Sequence, residues 1–455
     1  MRKFILLVIG LAFGILIYLP LNLSYREADL QPAAKAVRAA PTLSDSLKVK
    51  LADLFPPLSD CSPLPLSKAE AGSRQSMVNR SIRMAARYLE SFCNEEGQFL
   101  YRVNLNPGVR PDERYNLLRH AGSIYVLAKY YRQSNDHAAL SAVENALVFL
   151  KKQSLDPIPE HPELQGIWSY PRVTSGKAPA VVKLGGTGLG LIALAEYGEA
   201  FPQKCDLKQL AAMGDFLLFM QKESGEFYTR YVDKLGSDDR HSSLYYPGEA
   251  ILGLTHLFKI YPSQKWLDGA IRGLLYLAHS RAALTHLPAD NWALIATAEL
   301  LQIDNQALTE DIRRDIISHA IRIVQGILDE KPVDVPEPRL AGSLTHGGET
   351  TPTATRLEGL LAALQIVPGD EVTLRQKMLE AIHQGICFLQ NTQIQSGPYK
   401  GGFTRECRPF SAAVNTRGSH FNPLAAEIRI DYVQHALNAM LEYRQLFAST
   451  PTDFQ

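Results

Sequence analysis

The chain has 455 residues, with 47 Lys and Arg against 47 Asp and Glu. Balanced charge gives no general attraction to nucleic acid or to an acidic membrane surface. A hydrophobic share of 46% is ordinary for a globular protein and leaves no disorder signature over the main body.

The N-terminus departs from that composition. Arg2 and Lys3 precede an apolar run over residues 4–23, broken by Gly10, Gly14, Pro20 and Asn22. A basic start before an apolar segment of nearly spanning length reads as a signal peptide or a retained anchor. No small-x-small cleavage site directly follows it, which favours the anchor, with Arg2 and Lys3 inside. Either way the body is expected to be exported, membrane-anchored or periplasmic. Residues 24–72, rich in Pro, Ala and Ser, read as a linker, and 73–455 as the main domain. The five cysteines, Cys61, Cys93, Cys205, Cys387 and Cys407, are scattered and contain no Cys-x-x-Cys. They make neither a disulfide scaffold nor a zinc site. Buried thiols are the commoner condition for such cysteines, although Cys387 and Cys407 flank one loop and are placed to pair.

From residue 78 onward one unit recurs. A helix ends in a turn with Gly and an aromatic, a loop follows, and a second helix starts with polar residues. Helical spacing predicts pairs at 78–92 with 111–131, 140–153 with 185–197, and 207–221 with 246–258. Further pairs fall at 266–279 with 290–301, 312–328 with 352–364, and 377–390 with a final helix. Asn422-Pro423 is expected to cap that last helix. The second helices are apolar on every side and must be surrounded, whereas the first ones, such as 312–328 with Arg313, Arg314 and Arg322, carry a charged face. Two concentric rings need that asymmetry.

Six such hairpins resemble the (α/α)6 toroid of many glycoside hydrolases, polysaccharide lyases and sugar epimerases. The Gln-x-x-x-Gly-x-Phe run from Gln221 to Phe227 also resembles the turn repeats of squalene-cyclase-type toroids. The resemblance covers residues from about 75 to 447 and is one of architecture. It implies an all-α fold, preceded by the anchor or signal segment, with a cleft where the inner helices start.

Residues at those starts are the candidates. Glu249 follows Tyr246-Pro247-Gly248 and suits either acid/base chemistry or stabilisation of a first helical turn. Asp290, with Asn291 and Trp292, reads as a sugar platform or as a helix cap beside a core indole. Glu349 lies in His346-Gly347-Gly348-Glu349-Thr350-Thr351-Pro352, where Thr351 fits the cap and leaves His346 and Glu349 available. Arg356 and Glu358 follow, one expected to face the cavity. Arg417 and His420 precede the last helix, and Glu427, Asp431 and His435, spaced by four, are expected to share one helix face. Arg119 and His120 stand on the first inner helix and, being adjacent, cannot point the same way. Tyr246 adds an aromatic at a helix start.

No phosphate loop, dinucleotide fingerprint, Gly-x-Ser-x-Gly or His-Glu-x-x-His occurs, so no cofactor or metal is implied. The expected ligand is a glycan or other small polar molecule. The expected chemistry uses two carboxylates, Asp290 and Glu349 with Glu249 as alternate. Arg119, His120 and Arg417 would meet an acidic sugar. A lyase or epimerase using Tyr and His, a non-catalytic binding toroid held at the membrane, and a terpenoid-cyclase-like enzyme are the alternatives.

Overall fold

The computed structural model describes residues 54–56, 68–106, 109–333, 337–406 and 423–448. The apolar run 4–23, Cys61, Cys407, Arg417 and His420 lie outside the described residues.

Among the described residues, twelve long helices form six hairpins. They are α1 (Lys68–Ser91), α2 (Leu117–Ser134), α3 (His137–Ser154), α4 (Leu184–Ala200), α5 (Leu207–Phe219) and α6 (Tyr246–Ile260). There follow α7 (Gln264–Ser280), α8 (Asn291–Leu301), α9 (Glu310–Asp329), α10 (Thr350–Leu364), α11 (Val372–Thr392) and α12 (Ile430–Ala448). The even-numbered helices pack each on the next, and α12 returns to α2, closing an inner ring. The odd-numbered helices surround it. Burial follows the sequence pattern. All of residues 184–196 of α4 are buried, whereas α9 buries one stripe, including Ile316, Ala320, Ile323 and Ile327. The chain is therefore an (α/α)6 toroid.

Helix starts are set locally. Asn116, Asp136, Asp206, Asp290 and Thr309 each accept a hydrogen bond from a backbone N–H of the first turn. Pro247 sits in the first turn of α6, where its missing N–H costs nothing.

The turn after an outer helix is a repeated staple. Gly97, Gly225 and Gly401 have φ of +84°, +91° and +93°, and each lies against the backbone of the next outer helix. Their neighbours are Asn145 on α3, Arg272 on α7 and Met84 on α1, so the last staple closes the outer ring. A residue at the end of the helix adds a bond across the same seam. Gln221 donates to the Gly269 carbonyl at 2.9 Å, and Gln393 to that of Ser81 at 3.0 Å. Phe99, Phe227 and Phe403 close the turns through bridges to Cys93, Gln221 and Gln393. Phe403 is fully buried, which contributes about 2–3 kcal/mol.

Short strands join the helices, which the all-α expectation did not include. One sheet pairs β1 (Arg102–Asn104) with β7 (Glu427–Arg429). The other runs β2 (Leu155–Ile158), β3 (His161–Ser169), β4 (Val181–Lys183), β5 (Arg230–Val232) and β6 (Gly236–Asp238), all antiparallel. These strands lie in the loops between the ends of outer helices and the starts of inner ones.

Three local expectations are corrected. The final helix starts at Ile430, not at Asn422-Pro423; a 3-10 turn and β7 precede it. Glu427 is thus on a strand and shares no helix face with Asp431. Helix α10 starts at Thr350 with Glu349 in the cap position, so Thr351 is not the cap. Cys387 is disulfide-bonded, with its partner outside the described residues, whereas Cys93 and Cys205 are free thiols.

The expected linker also meets the domain. Leu54 accepts from the Gln395 N–H at 2.8 Å, and Phe55 is buried beneath the Arg339 guanidinium.

Candidate active site at the mouth of the toroid

The three expected carboxylates have different fates. Asp290 has no exposure; one oxygen caps Ala293 and the other pairs with Arg281 at 2.9 Å. Burial raises its pKa, and Arg281 and the Ala293 N–H partly offset this. Its charge is already committed to helix α8. Glu249 is also buried, with its carboxyl against Gly185 at the start of α4. Its Oε2 has no hydrogen-bond partner. Burial first, and Asp290 second, push its pKa up to about 8, so it holds its proton at neutral pH. Glu349 is half-buried and folds back over Gly347; its N–H donates to the Thr345 hydroxyl at 3.1 Å.

The start of α12 carries a buried ionic network. Asp431 accepts from Arg429 Nε at 2.6 Å and pairs with Arg119 Nε at 3.1 Å. Arg119 also donates to the Tyr101 hydroxyl at 2.6 Å. Glu427 accepts from the Tyr432 hydroxyl at 2.8 Å and from Arg102 at 3.3 Å. Burial opposes the Asp431 charge, but Arg119 and Arg429 outweigh it and hold the carboxyl well below its usual range. The network joins α2, α12 and both strands of the small sheet.

Beside it lies a second cluster, centred on Glu358 of α10. Glu358 Oε2 faces His435 Nδ1 at 3.0 Å and accepts from Asn291 Nδ2 at 3.1 Å. Its Oε1 accepts from Asn438 Nδ2 at 2.8 Å. The Trp292 indole meets the His435 ring edge-on, centroids 6.2 Å apart, and fixes its plane. A carboxylate that only accepts obliges His435 Nδ1 to carry hydrogen. Nε2 then holds the lone pair of the neutral ring and has no protein partner among the described residues. Burial opposes the imidazolium, but Glu358 outweighs it, so the net pKa of His435 is raised. The result is an oriented, strengthened base.

Other candidates lie elsewhere. His120 points outward, bonding the Tyr115 hydroxyl at 2.7 Å and the Ala146 carbonyl of α3 at 3.0 Å. Burial first lowers its pKa, to about 4. Arg119, its neighbour, points inward. Arg356 turns away from the axis to Glu330 beyond α9, at 2.7 Å, while Glu358 faces it. His346 is exposed on the loop before α10, and Tyr246 packs on Gly185 beside Glu249. Glu358 is thus the one of the expected pair that faces the cavity, and Asn438 completes the cluster without having been named as a site residue. The available signal was one Glu inside the apolar stretch Leu357-Glu358-Gly359-Leu360-Leu361. No group of three His, Cys, Asp or Glu among the described residues is placed to hold a metal. Two grooves of about 310 and 500 Å³ lie between α3, α4 and α5 and between α9 and α11, and none of the candidate residues above lines them.

No protein-family model matches the chain, and no curated protein matches it in sequence. Its fold is shared with solved structures. Cellobiose 2-epimerase from Bacillus thermoamylovorans is 10% identical over 84% of this chain and 100% of that one, with a TM-score of 0.61. The same enzyme from Spirochaeta thermophila is 14% identical over 84% and 100%, with a TM-score of 0.58. An α-mannanase of Bacteroides thetaiotaomicron is 11% identical over 82% and 97%, with a TM-score of 0.55. At such identities the likeness is one of fold.

Proposed function

We propose that this chain is an exported enzyme that converts a sugar at the mouth of the ring by proton transfer through His435. The observation that carries this is the His435–Glu358 pair at 3.0 Å, with Nδ1 engaged and Nε2 left to the ligand. An imidazole of raised pKa is a base suited to neutral pH. With an open-chain sugar, Nε2 takes the proton from the carbon beside the carbonyl. The C–H bond breaks, an Nε2–H bond forms, and the electron pair moves onto the carbonyl oxygen as an enediolate. Return of the proton to the same carbon after the enediolate has turned its other face to Nε2 gives an epimer. Return to the former carbonyl carbon, with the adjacent hydroxyl proton passing to the carbonyl oxygen, gives an isomer. Arg119, which faces His435, supplies positive potential for the developing charge.

The fold is shared with sugar epimerases, which fits this reading. A disulfide at Cys387 fits an oxidising compartment and hence export, as does the apolar run behind Arg2 and Lys3. A second reading, glycan cleavage by paired carboxylates, draws on Glu249, whose retained proton at neutral pH suits a general acid.

A panel of reducing mono- and disaccharides and of mannans tests both. Products of unchanged mass but altered NMR spectrum support the proposal. Shortened chains support the carboxylate reading. Binding without any product supports a non-catalytic toroid and contradicts both.

A further inference from the structure

The polar cluster does not end at Glu358. Asn438 donates to Glu358 Oε1 at 2.8 Å and accepts through Oδ1 from Lys129 Nζ at 3.3 Å. Lys129 in turn pairs with Glu442. Lys129 lies about ten residues beyond Arg119 on α2, roughly 15 Å deeper along the ring axis. A chain of bonded side chains thus runs from the mouth down the inside of the ring: His435, Glu358, Asn438, Lys129, Glu442.

The chemistry of this chain leaves no freedom at Asn438. An ammonium only donates and an ionised carboxylate only accepts, so the amide has a single orientation, oxygen to Lys129 and nitrogen to Glu358. Lys129 and Glu442 have side-chain exposures of only 14% and 24%. A surface ion pair would be screened and mobile, whereas this one is held between two packed inner helices. Burial opposes the Lys129 charge, but Glu442 outweighs it and the ammonium is held charged. Glu196 of α4 also faces Lys129.

We infer that Asn438 and the Lys129–Glu442 pair form a positioning relay. They lock Glu358 in the geometry that presents His435, so groups deep in the ring set the strength of the base at its mouth. This rests on the reading of His435 as the base, but it is measurable without substrate. The charged groups that face His435 are Glu358 from α10, Arg119 from α2 and Asp431 from its own helix. From α8 come the uncharged Asn291 and Trp292. None of these is altered by changing Asn438, Lys129 or Glu442.

The test is an NMR titration of His435 in protein labelled with ¹³C-histidine, the resonance assigned by its loss in His435→Gln. Asn438→Leu removes the bond that holds the Glu358 carboxylate in place against His435. As the carboxylate swings away, the His435 midpoint is expected to fall by about 1 unit, and a rise would overturn the relay. Lys129→Met with Glu442→Gln keeps the net charge and frees the amide to turn, so the midpoint is again expected to fall. If the double variant does not fold, Lys129→Met alone carries the same decision, because loss of a positive charge by itself would raise the midpoint whereas the relay predicts a fall. Midpoints within ~0.2 units of wild type in both variants would overturn the relay. A shift in Asn438→Leu but not in the Lys129 or Glu442 variants would end the chain at Asn438 and overturn its deeper half. A protein that shows the expected shifts yet converts no sugar would remove the proposed reaction and leave the relay standing.

Discussion

Replacing Gly401 with alanine is predicted to destabilise the ring at its closing seam. Gly401 has φ +93°, and a Cβ there would lie 2.0 Å from the Met84 carbonyl oxygen of α1. Real Cβ contacts stop near 3.0 Å, so the turn must retreat by 3.0 − 2.0 = 1.0 Å from rigid helical backbone. Retreat strains the Gly401 N–H to Ile394 carbonyl bond at 2.8 Å and the Gln393 bond to the Gly401 carbonyl at 3.2 Å. The left-handed backbone costs an L-residue about 1–2 kcal/mol. Overpacking against backbone adds about 1–3 kcal/mol. The expected loss is therefore about 2–5 kcal/mol. Gly72 in α1 provides the opposite case, with no atom within 4 Å and no positive φ. Gly72→Ala is expected to gain up to about 1 kcal/mol from helix propensity. Urea denaturation followed by circular dichroism, with both variants beside wild type, measures the two signs. Equal midpoints for Gly401→Ala and wild type would refute the staple as the device that closes the outer ring.

Three further changes probe the mouth. Glu358→Gln should lower the His435 midpoint, because it removes the strongest influence raising it. A raised imidazole pKa adds stability below the unfolded value of about 6.5 and loses it as pH rises through the folded value. The stability gap between wild type and Glu358→Gln should thus be wider near pH ~5.5 than near pH ~9. Asp431→Asn leaves Arg119 and Arg429 facing each other and should cost about 3–5 kcal/mol, read by thermal unfolding. The Asp431 contribution, from a depressed carboxyl, is present above the unfolded value of about 3.9 and fades as pH falls. Glu249 has the opposite sign. Its carboxyl, raised to about 8, opposes folding increasingly as pH climbs from its unfolded value toward 8. Glu249→Gln should therefore stabilise more at pH ~8 than at pH ~5, and equal effects at both would contradict the burial of its charge.

The concentric rings were legible because helix burial writes itself into local composition. Residues 188–195 are buried on every side and read as apolar throughout, while Arg313, Arg314 and Arg322 mark an outer helix. The turn from Gln221 to Phe227 was legible because only glycine suits φ +91° against the Arg272 carbonyl. Strand β3 was not, since His161, Pro162 and Glu163 show no β pattern and its pairing depends on distant loops. Asp290 was legible as a carboxylate at a helix start, but Arg281, which claims its charge, belongs to the end of the preceding outer helix region. The central cluster was the least legible part. Glu358 meets His435 and Asn438 across separations of 77 and 80 residues, and no local spacing encodes such a meeting.

The central claim is that His435 moves a proton on a sugar. Incubating the wild-type protein with reducing sugars in D₂O, and reading deuterium at the carbon beside the carbonyl by NMR, tests it directly. The account predicts deuterium incorporation at that carbon, lost by several orders of magnitude in His435→Gln. Sugar conversion without deuterium uptake, or uptake unchanged in His435→Gln, would contradict it.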